Sequence, residues 1–224
     1  MAALKGWSVF QLDVKSTFLH GDLNETIYVE QPPGFVKKGE EEKVYRLKKA
    51  LYGLKHAPRA WYSKIDSYFT NEGFTKSPSE YTLYVKKNCK GDLLIVSLYV
   101  DDLIFTGNCA QMFSEFKSSM KKNFDMTDLG KMSFFLGVEV KQSEEGISMS
   151  QAKYAREILS RFRMENCKPV LSPIVPGSKL SKGGEKVDET YYKQMVGSLM
   201  YLTATRPDIM YVVSLISRYM DKPT

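Results

Sequence analysis

Three aspartates on two short stretches carry the chemistry-bearing pattern of this chain. Asp101 and Asp102 stand side by side in Tyr99-Val100-Asp101-Asp102. They follow the apolar run Leu93-Leu94-Ile95-Val96-Ser97-Leu98 and precede a second run, Leu103-Ile104-Phe105-Thr106-Gly107. Two strands joined by a two-residue turn is the natural reading. Asp-Asp is a poor choice for such a turn, because hairpin turns favour Asn-Gly or Asp-Gly, whose central residues accept positive φ. Two adjacent like charges also cost about 1 kcal/mol in water and more in a drier site. A divalent cation between the carboxylates, with a phosphate on its far side, offsets that cost. An exposed turn without chemistry is the plainer alternative. Strands of buried composition on both sides, Tyr99 two residues before Asp101, and a third carboxylate weigh against it.

That third carboxylate is Asp13. The stretch Trp7-Ser8-Val9-Phe10-Gln11-Leu12-Asp13-Val14 reads as a strand with Asp13 near its end. Residues 15–21 read as a short helical turn closed by Gly21. A lone Asp at a strand end is often structural. Three carboxylates on two strand ends, however, form the ligand set of a two-metal phosphoryl-transfer site. Hard oxygen donors suit magnesium, which keeps waters and takes phosphate oxygens.

The elements that must position these groups follow from periodicity. Residues 37–43 are a charged loop between extended pieces, and residues 44–47 form a short strand. Residues 58–72 form a helix with Pro58 in its first turn, Gly73 just past its end, and Trp61, Ile65, Tyr68 and Phe69 on one face. Residues 81–87 and 93–100 make a hairpin. Residues 110–124 form a helix whose buried stripe is Met112, Phe113, Phe116, Met120 and Phe124. Residues 132–140 read as a strand, with a hairpin return from Gly146 to Ser150. Residues 151–221 read as helix, polar loop, helix, helix. The loop over 168–188 is rich in Pro, Gly, Ser and Lys, and is expected to be mobile. Arg206-Pro207-Asp208 opens the last helix, whose apolar face is Ile209, Val212, Val213, Ile216 and Met220. The expected fold class is α+β: an antiparallel sheet backed by helices, followed by a helical appendage, with the boundary near residue 150.

Composition sets outer limits. The 224 residues are 43% apolar and 26% charged, ordinary for a globular protein. Lys plus Arg number 32 against 26 Asp plus Glu, a net +6 that suits a polyanionic partner without requiring one. Cys89, Cys109 and Cys167 are widely spaced and fit a reducing compartment and no zinc motif. His20 and His56 are too few for a histidine-based metal site. No secretory signal is visible at the N-terminus, and no apolar run approaches the ~20 residues that span a bilayer. A soluble cytoplasmic or nuclear protein that is neither secreted nor membrane-bound is the expectation.

Five ordered stretches make the pattern specific. They are residues 11–21 (Gln-Leu-Asp-Val-Lys-Ser-Thr-Phe-Leu-His-Gly), 28–35 (Tyr-Val-Glu-Gln-Pro-Pro-Gly-Phe), 51–62 (Leu-Tyr-Gly-Leu-Lys-His-Ala-Pro-Arg-Ala-Trp-Tyr), the Tyr-Val-Asp-Asp segment, and 197–208 (Gly-Ser-Leu-Met-Tyr-Leu-Thr-Ala-Thr-Arg-Pro-Asp). In these motifs and their order the chain resembles the reverse transcriptase of copia-type LTR retrotransposons. The resemblance implies a polymerase palm with partial fingers over residues 1–150 and a helical thumb or connection region over 151–224. It implies RNA-directed DNA polymerase activity with two magnesium ions, or manganese in their place, held by Asp13, Asp101 and Asp102, with the Val14 carbonyl as a further ligand. The implied partners are an RNA or DNA template with its primer, deoxynucleoside triphosphates, and the ribonuclease H and integrase domains of a polyprotein.

The resemblance also distributes supporting roles. Phe18 would lie under the incoming sugar; a core aromatic is its alternative. Tyr52 and Gly53 would border the nucleotide, and Leu54, Lys55, Pro58 and Arg59 would meet nucleic acid at a helix N-terminus that favours phosphate. Solvated basic residues on an ordinary capped helix are the alternative there. Tyr99 would abut the primer end, or else be a half-buried strand aromatic. Lys153, Arg156 and Arg163, at spacings of three and seven, would form a helix face on the primer–template backbone, or a merely solvated one.

Departures from the family pattern are Thr17 for a small alanine, His56 for glutamine and Glu80 for aspartate; none removes a metal ligand. Few residues precede Asp13, whereas the family carries a basic fingers segment upstream. The chain is therefore expected to be a polyprotein fragment or a degenerate copy. A catalytically inactive relic with weak nucleic-acid binding is the alternative to a polymerase core, and a metal-dependent nuclease is a more distant one.

Overall fold

The apolar runs on either side of the aspartates become neighbouring strands. The computed structural model of the chain describes residues 1–175, 177–181 and 183–224; Pro176 and Lys182, in the loop expected to be mobile, lie outside the described residues. A short helix α1 (Ala2–Lys5) precedes β1 (Val9–Val14) and a 3₁₀ turn over Thr17–His20. A small ribbon of β2 (Tyr28–Val29) and β3 (Tyr45–Arg46) flanks the charged loop. Then come α2 (Ala57–Asn71), β4 (Thr75–Lys76), β5 (Leu83–Lys87), β6 (Leu93–Tyr99), β7 (Asp102–Gly107), α3 (Ala110–Asn123) and β8 (Met126–Lys131). Six of these strands form an antiparallel sheet in the order β4-β5-β6-β7-β1-β8.

Strand alternation decides which side of this sheet is core. Leu12 and Val14 of β1, Leu94, Val96 and Leu98 of β6, and Leu103 and Phe105 of β7 are buried together with Trp61, Ile65 and Phe69 of α2 and Met112, Phe116 and Met120 of α3. Full burial of each such side chain is worth roughly 1.5–3 kcal/mol. Because successive strand residues point to opposite faces, Gln11, Asp13 and Asp102 fall on the face turned away from the two helices. Helix α2 begins with Pro58 in its first turn and is followed by Gly73 at φ 81°, as its sequence anticipates.

The strand expected over 132–140 is not continuous. Strand β8 lies upstream of it. It pairs with β1 through a register shift that leaves Leu129 as an extra residue between Asp128 and Gly130. The expected strand itself is broken by a tight turn at Leu136 and Gly137, with φ of 46° and 80°. The turn joins β9 (Phe134–Phe135) to β10 (Val138–Ser143).

Compact packing divides the chain into Met1–Met132 and Ser133–Thr224. In the second unit, β11 (Gly146–Ser150) completes a three-stranded sheet of order β11-β10-β9. The helices α4 (Ala152–Arg161), α5 (Glu189–Leu202) and α6 (Met210–Ser217) follow, with a 3₁₀ turn over Pro207–Ile209 before the last. Glu139 Oε1 accepts from the Lys153 amide at the start of α4 (2.8 Å), and Asp188 Oδ1 accepts from the Tyr191 amide at the start of α5 (3.0 Å). Buried Gln151 donates to the Tyr201 carbonyl at 3.3 Å and accepts from the Thr205 hydroxyl at 2.8 Å, which ties the end of the hairpin to the end of α5. No helix among the described residues is long and apolar enough to cross a membrane.

Candidate active site

The sheet brings the three aspartates to one end. Asp13 is the penultimate residue of β1 and lies in register with Asp102, the first residue of β7. The Asp101 carbonyl accepts from the Val14 amide at 2.9 Å, so the turn is bonded to the end of β1. The turn itself differs by one position from the sequence expectation. Tyr99 pairs with Asp102, so its two central residues are Val100 and Asp101, and Asp102 already belongs to the strand. Val100 takes φ 55°, whereas Asp101 does not have a positive φ. Positive φ at the first central residue alone is the sign pattern of a type II′ turn, where glycine is usual. A β-branched residue there stores roughly 1–2 kcal/mol of backbone strain.

Electrostatics follows from this convergence. Burial, and then the charges of Asp101 and Asp102, push the Asp13 carboxyl above its ordinary value, against a smaller opposing effect of Lys15. Negative charge is thus concentrated where the fold supplies little to neutralise it. Among the described residues no three His, Cys, Asp or Glu side chains form a complete metal-binding group. A cation here would draw on one or two of the carboxylates and take water at its remaining positions, a coordination that magnesium accepts. The Val14 carbonyl, an implied ligand, accepts from the buried Thr17 hydroxyl at 2.8 Å. A carbonyl has two lone pairs, so one remains for a cation.

Two residues of this site were not read from the sequence as functional. Gln11 is 7% exposed and donates from Nε2 to Asp102 Oδ1 at 2.8 Å. Its signal was present, since it stands two residues before Asp13 and therefore on the same strand face. Trp61 is 2% exposed and donates from Nε1 to the Val100 carbonyl at 2.7 Å. Its position in the apolar stripe of α2 marked it only as core.

The remaining candidates are placed as follows. Phe18 lies in the 3₁₀ turn, half-buried against the core, with its ring 5.8 Å from that of Tyr52. Tyr52 is 90% exposed, and Gly53 adopts φ 89° in the loop before α2. Leu54 is half-buried, while Lys55, Pro58 and Arg59 are exposed around the start of α2. Arg59 and His56 border a polar recess of about 120 Å³ with Asp22, Asn24, Glu25 and Ser63. Asp22 clamps Lys49 and Lys64, and those hydrogen bonds hold its carboxyl below the usual range. Tyr99, at the end of β6, is exposed. In the second unit Lys153 and Arg156 are exposed on α4. Arg163 does not share their helix: α4 ends at Arg161, and Arg163 follows in a turn at φ 57°. The seven-residue step from Arg156 is therefore not a helical step, because the helix closes before it completes.

Comparison with known proteins agrees with the arrangement. Residues 1–176 match the family described as reverse transcriptase (RNA-dependent DNA polymerase). Over its whole length the chain is 40% identical to the retrovirus-related Pol polyprotein from transposon RE1 of Arabidopsis thaliana and covers 15% of that protein. It is 41% identical over its whole length to the corresponding polyprotein from transposon TNT 1-94 of Nicotiana tabacum, covering 18% of it. A putative transposon Ty5-1 protein of Saccharomyces cerevisiae is 34% identical over 95% of the chain, which covers 70% of that protein. The chain thus spans less than a fifth of the two plant polyproteins. It belongs to the reverse transcriptase family, in the form carried by the Pol polyproteins of copia-type transposons.

Proposed function

We propose that this chain is the core of an RNA-directed DNA polymerase, adding deoxynucleotides to a primer 3′-hydroxyl on an RNA or DNA template. The observation that carries the reading is the in-register pairing of Asp13 with Asp102 beside the turn that holds Asp101. In this reading the large sheet and its two helices are the palm with part of the fingers, and the helices from α4 onward are the thumb or connection region. Ribonuclease H and integrase domains of the same polyprotein are the proposed companions.

Each residue then has a task. Asp13, Asp101 and Asp102, with the Val14 carbonyl, hold the cations, and Gln11 keeps the Asp102 carboxylate aimed alongside Asp13. Two magnesium ions, or manganese in their place, would sharpen the primer hydroxyl as a nucleophile and neutralise charge on the triphosphate. Phe18 and Tyr52, which lie together, offer an aromatic floor for the sugar. Gly53 lets a nucleotide approach the backbone, and the start of α2 with Leu54, Lys55, Pro58 and Arg59 receives the template strand and its phosphates. Tyr99 sits at the turn, where the primer end arrives. Lys153 and Arg156 meet the duplex backbone, with Arg163 as a separate contact from its turn.

The test is primer extension on an RNA template by a protein carrying this chain, with and without Asp101→Asn. Extension that depends on a divalent cation is expected, and the substitution should lower its rate by about a thousandfold or more. Extension that survives Asp101→Asn overturns the site. Cation-dependent cleavage without extension would make the chain a nuclease, and salt-sensitive binding with neither would make it an inactive relic.

A further inference from the structure

We propose that Trp61 is a positioning residue for the aspartate turn, its indole N–H fixing the peptide group that leads into Asp101. The proposal rests on the reading of Asp13, Asp101 and Asp102 as a cation site. Two peptide groups flank the Asp101 Cα, and each is held by a different element. The carbonyl of Val100 accepts from Trp61 Nε1 at 2.7 Å, and the carbonyl of Asp101 accepts from the Val14 amide at 2.9 Å. With both planes fixed, the direction in which the Asp101 carboxylate leaves the backbone is fixed as well. One anchor comes from β1, the strand of Asp13; the other comes from α2, the helix that carries Pro58 and Arg59 in its first turn.

The anchor from α2 is rigid. Trp61 is 2% exposed, and its ring meets Phe124 edge-on at 5.6 Å and His20 at 6.0 Å. Indole nitrogen is a donor only, so the bond has one polarity. Its acceptor lies on the residue least suited to its own conformation, since Val100 takes φ 55° with a branched β-carbon. Left alone, Val100 favours negative φ, which would rotate the peptide before Asp101 and swing the carboxylate away from Asp13. The Trp61 bond opposes that rotation.

The test measures cation affinity, with Mn²⁺ as the probe and its free concentration read by electron paramagnetic resonance. Wild type should bind and Asp101→Asn should not. Trp61→Phe keeps an aromatic ring against Phe124 and His20 and removes only the donor; it should weaken binding about tenfold, as loss of a group supporting a ligand does. Val100→Gly in the Trp61→Phe background should restore most of the affinity, because glycine accepts positive φ without help. The chain has two tryptophans, Trp7 and Trp61, so Trp7→Phe assigns the Trp61 indole signal in a nitrogen–proton spectrum without disturbing the anchor. Mg²⁺ should shift that signal saturably. Trp61→Phe binding Mn²⁺ as wild type does, a double variant as weak as the single, or an indole signal indifferent to Mg²⁺ while the protein binds it would each overturn the role of Trp61. No binding by wild type, or equal binding by Asp101→Asn, would overturn the cation site itself and the proposal with it.

Discussion

Asp13 and Asp102 face each other in register across the antiparallel pair β1 and β7. Like charges directly opposite in a sheet destabilise it; burial first, and then the charges of Asp101 and Asp102, raise the Asp13 carboxyl. The sheet carries the conflict because its other face holds a continuous apolar core from Leu12 and Val14 to Phe105. Asp13→Asn should therefore stabilise the cation-free protein by about 1 kcal/mol or less, a rise in Tm of at most ~2–4 °C for a chain of this size. Scanning calorimetry at low ionic strength measures it, and added salt should shrink the gain. The same variant should lose Mn²⁺ binding. A fall in Tm would mean that Asp13 is a structural carboxylate.

What the sequence made legible divides along physical lines. The strands β6 and β7 were readable as short apolar runs on either side of a turn, and the stripes of α2 and α3 because burial imposes a period on them. Strand β8 was not: Met126-Thr127-Asp128-Leu129-Gly130-Lys131 lacks alternation, and its pairing with β1 depends on a register shift that only the partner strand defines. The turn at Leu136 and Gly137 carried a single signal, the glycine, because leucine is an unusual residue at positive φ. At the site, the aspartates were visible as charges out of place between apolar runs. Gln11 and Trp61 were not, because each acts through one hydrogen bond to a residue distant in sequence, and their types suit an ordinary strand and an ordinary core.

Beyond the site, Asp128 supplies a pH dependence of definite sign. Burial pushes its carboxyl upward, but the hydrogen bonds from Lys117 and the Gly130 amide outweigh that and hold it below the usual aspartate range. The Lys117 ammonium lies 3.0 Å from Asp128 and 5.1 Å from the centre of the Phe10 ring, so it links α3 to β8 and β1. A carboxyl lowered in the folded state adds stability that is present above its unfolded value, near 4, and is lost as pH falls through the folded value. Asp128→Asn should cost about 1–2 kcal/mol at neutral pH, with screening already discounted. The deficit should close in acid, as urea denaturation at a series of pH values will show. A deficit that stays constant with pH would assign the loss to packing alone.

Gly21 joins the 3₁₀ turn after Asp13 to helix α2, and its replacement tests whether that joint reaches the site. Its φ is −73°, so alanine meets no conformational penalty there. By chain entropy alone the substitution would stabilise the protein by about 0.4–1 kcal/mol. Space decides otherwise. A β-carbon at this position would lie 2.8 Å from the Trp61 amide nitrogen and 2.9 Å from the Ala60 carbonyl carbon, both backbone atoms of α2 with no side chain free to yield. The helix must move away from the turn, and overpacking of this kind costs about 1–3 kcal/mol. The first atom displaced belongs to Trp61, whose indole bonds the Val100 carbonyl. Gly21→Ala should therefore lower the urea midpoint and weaken Mn²⁺ binding together, and Val100→Gly should recover the binding. Lower stability with unchanged Mn²⁺ affinity would show that α2 can shift without moving the aspartate turn.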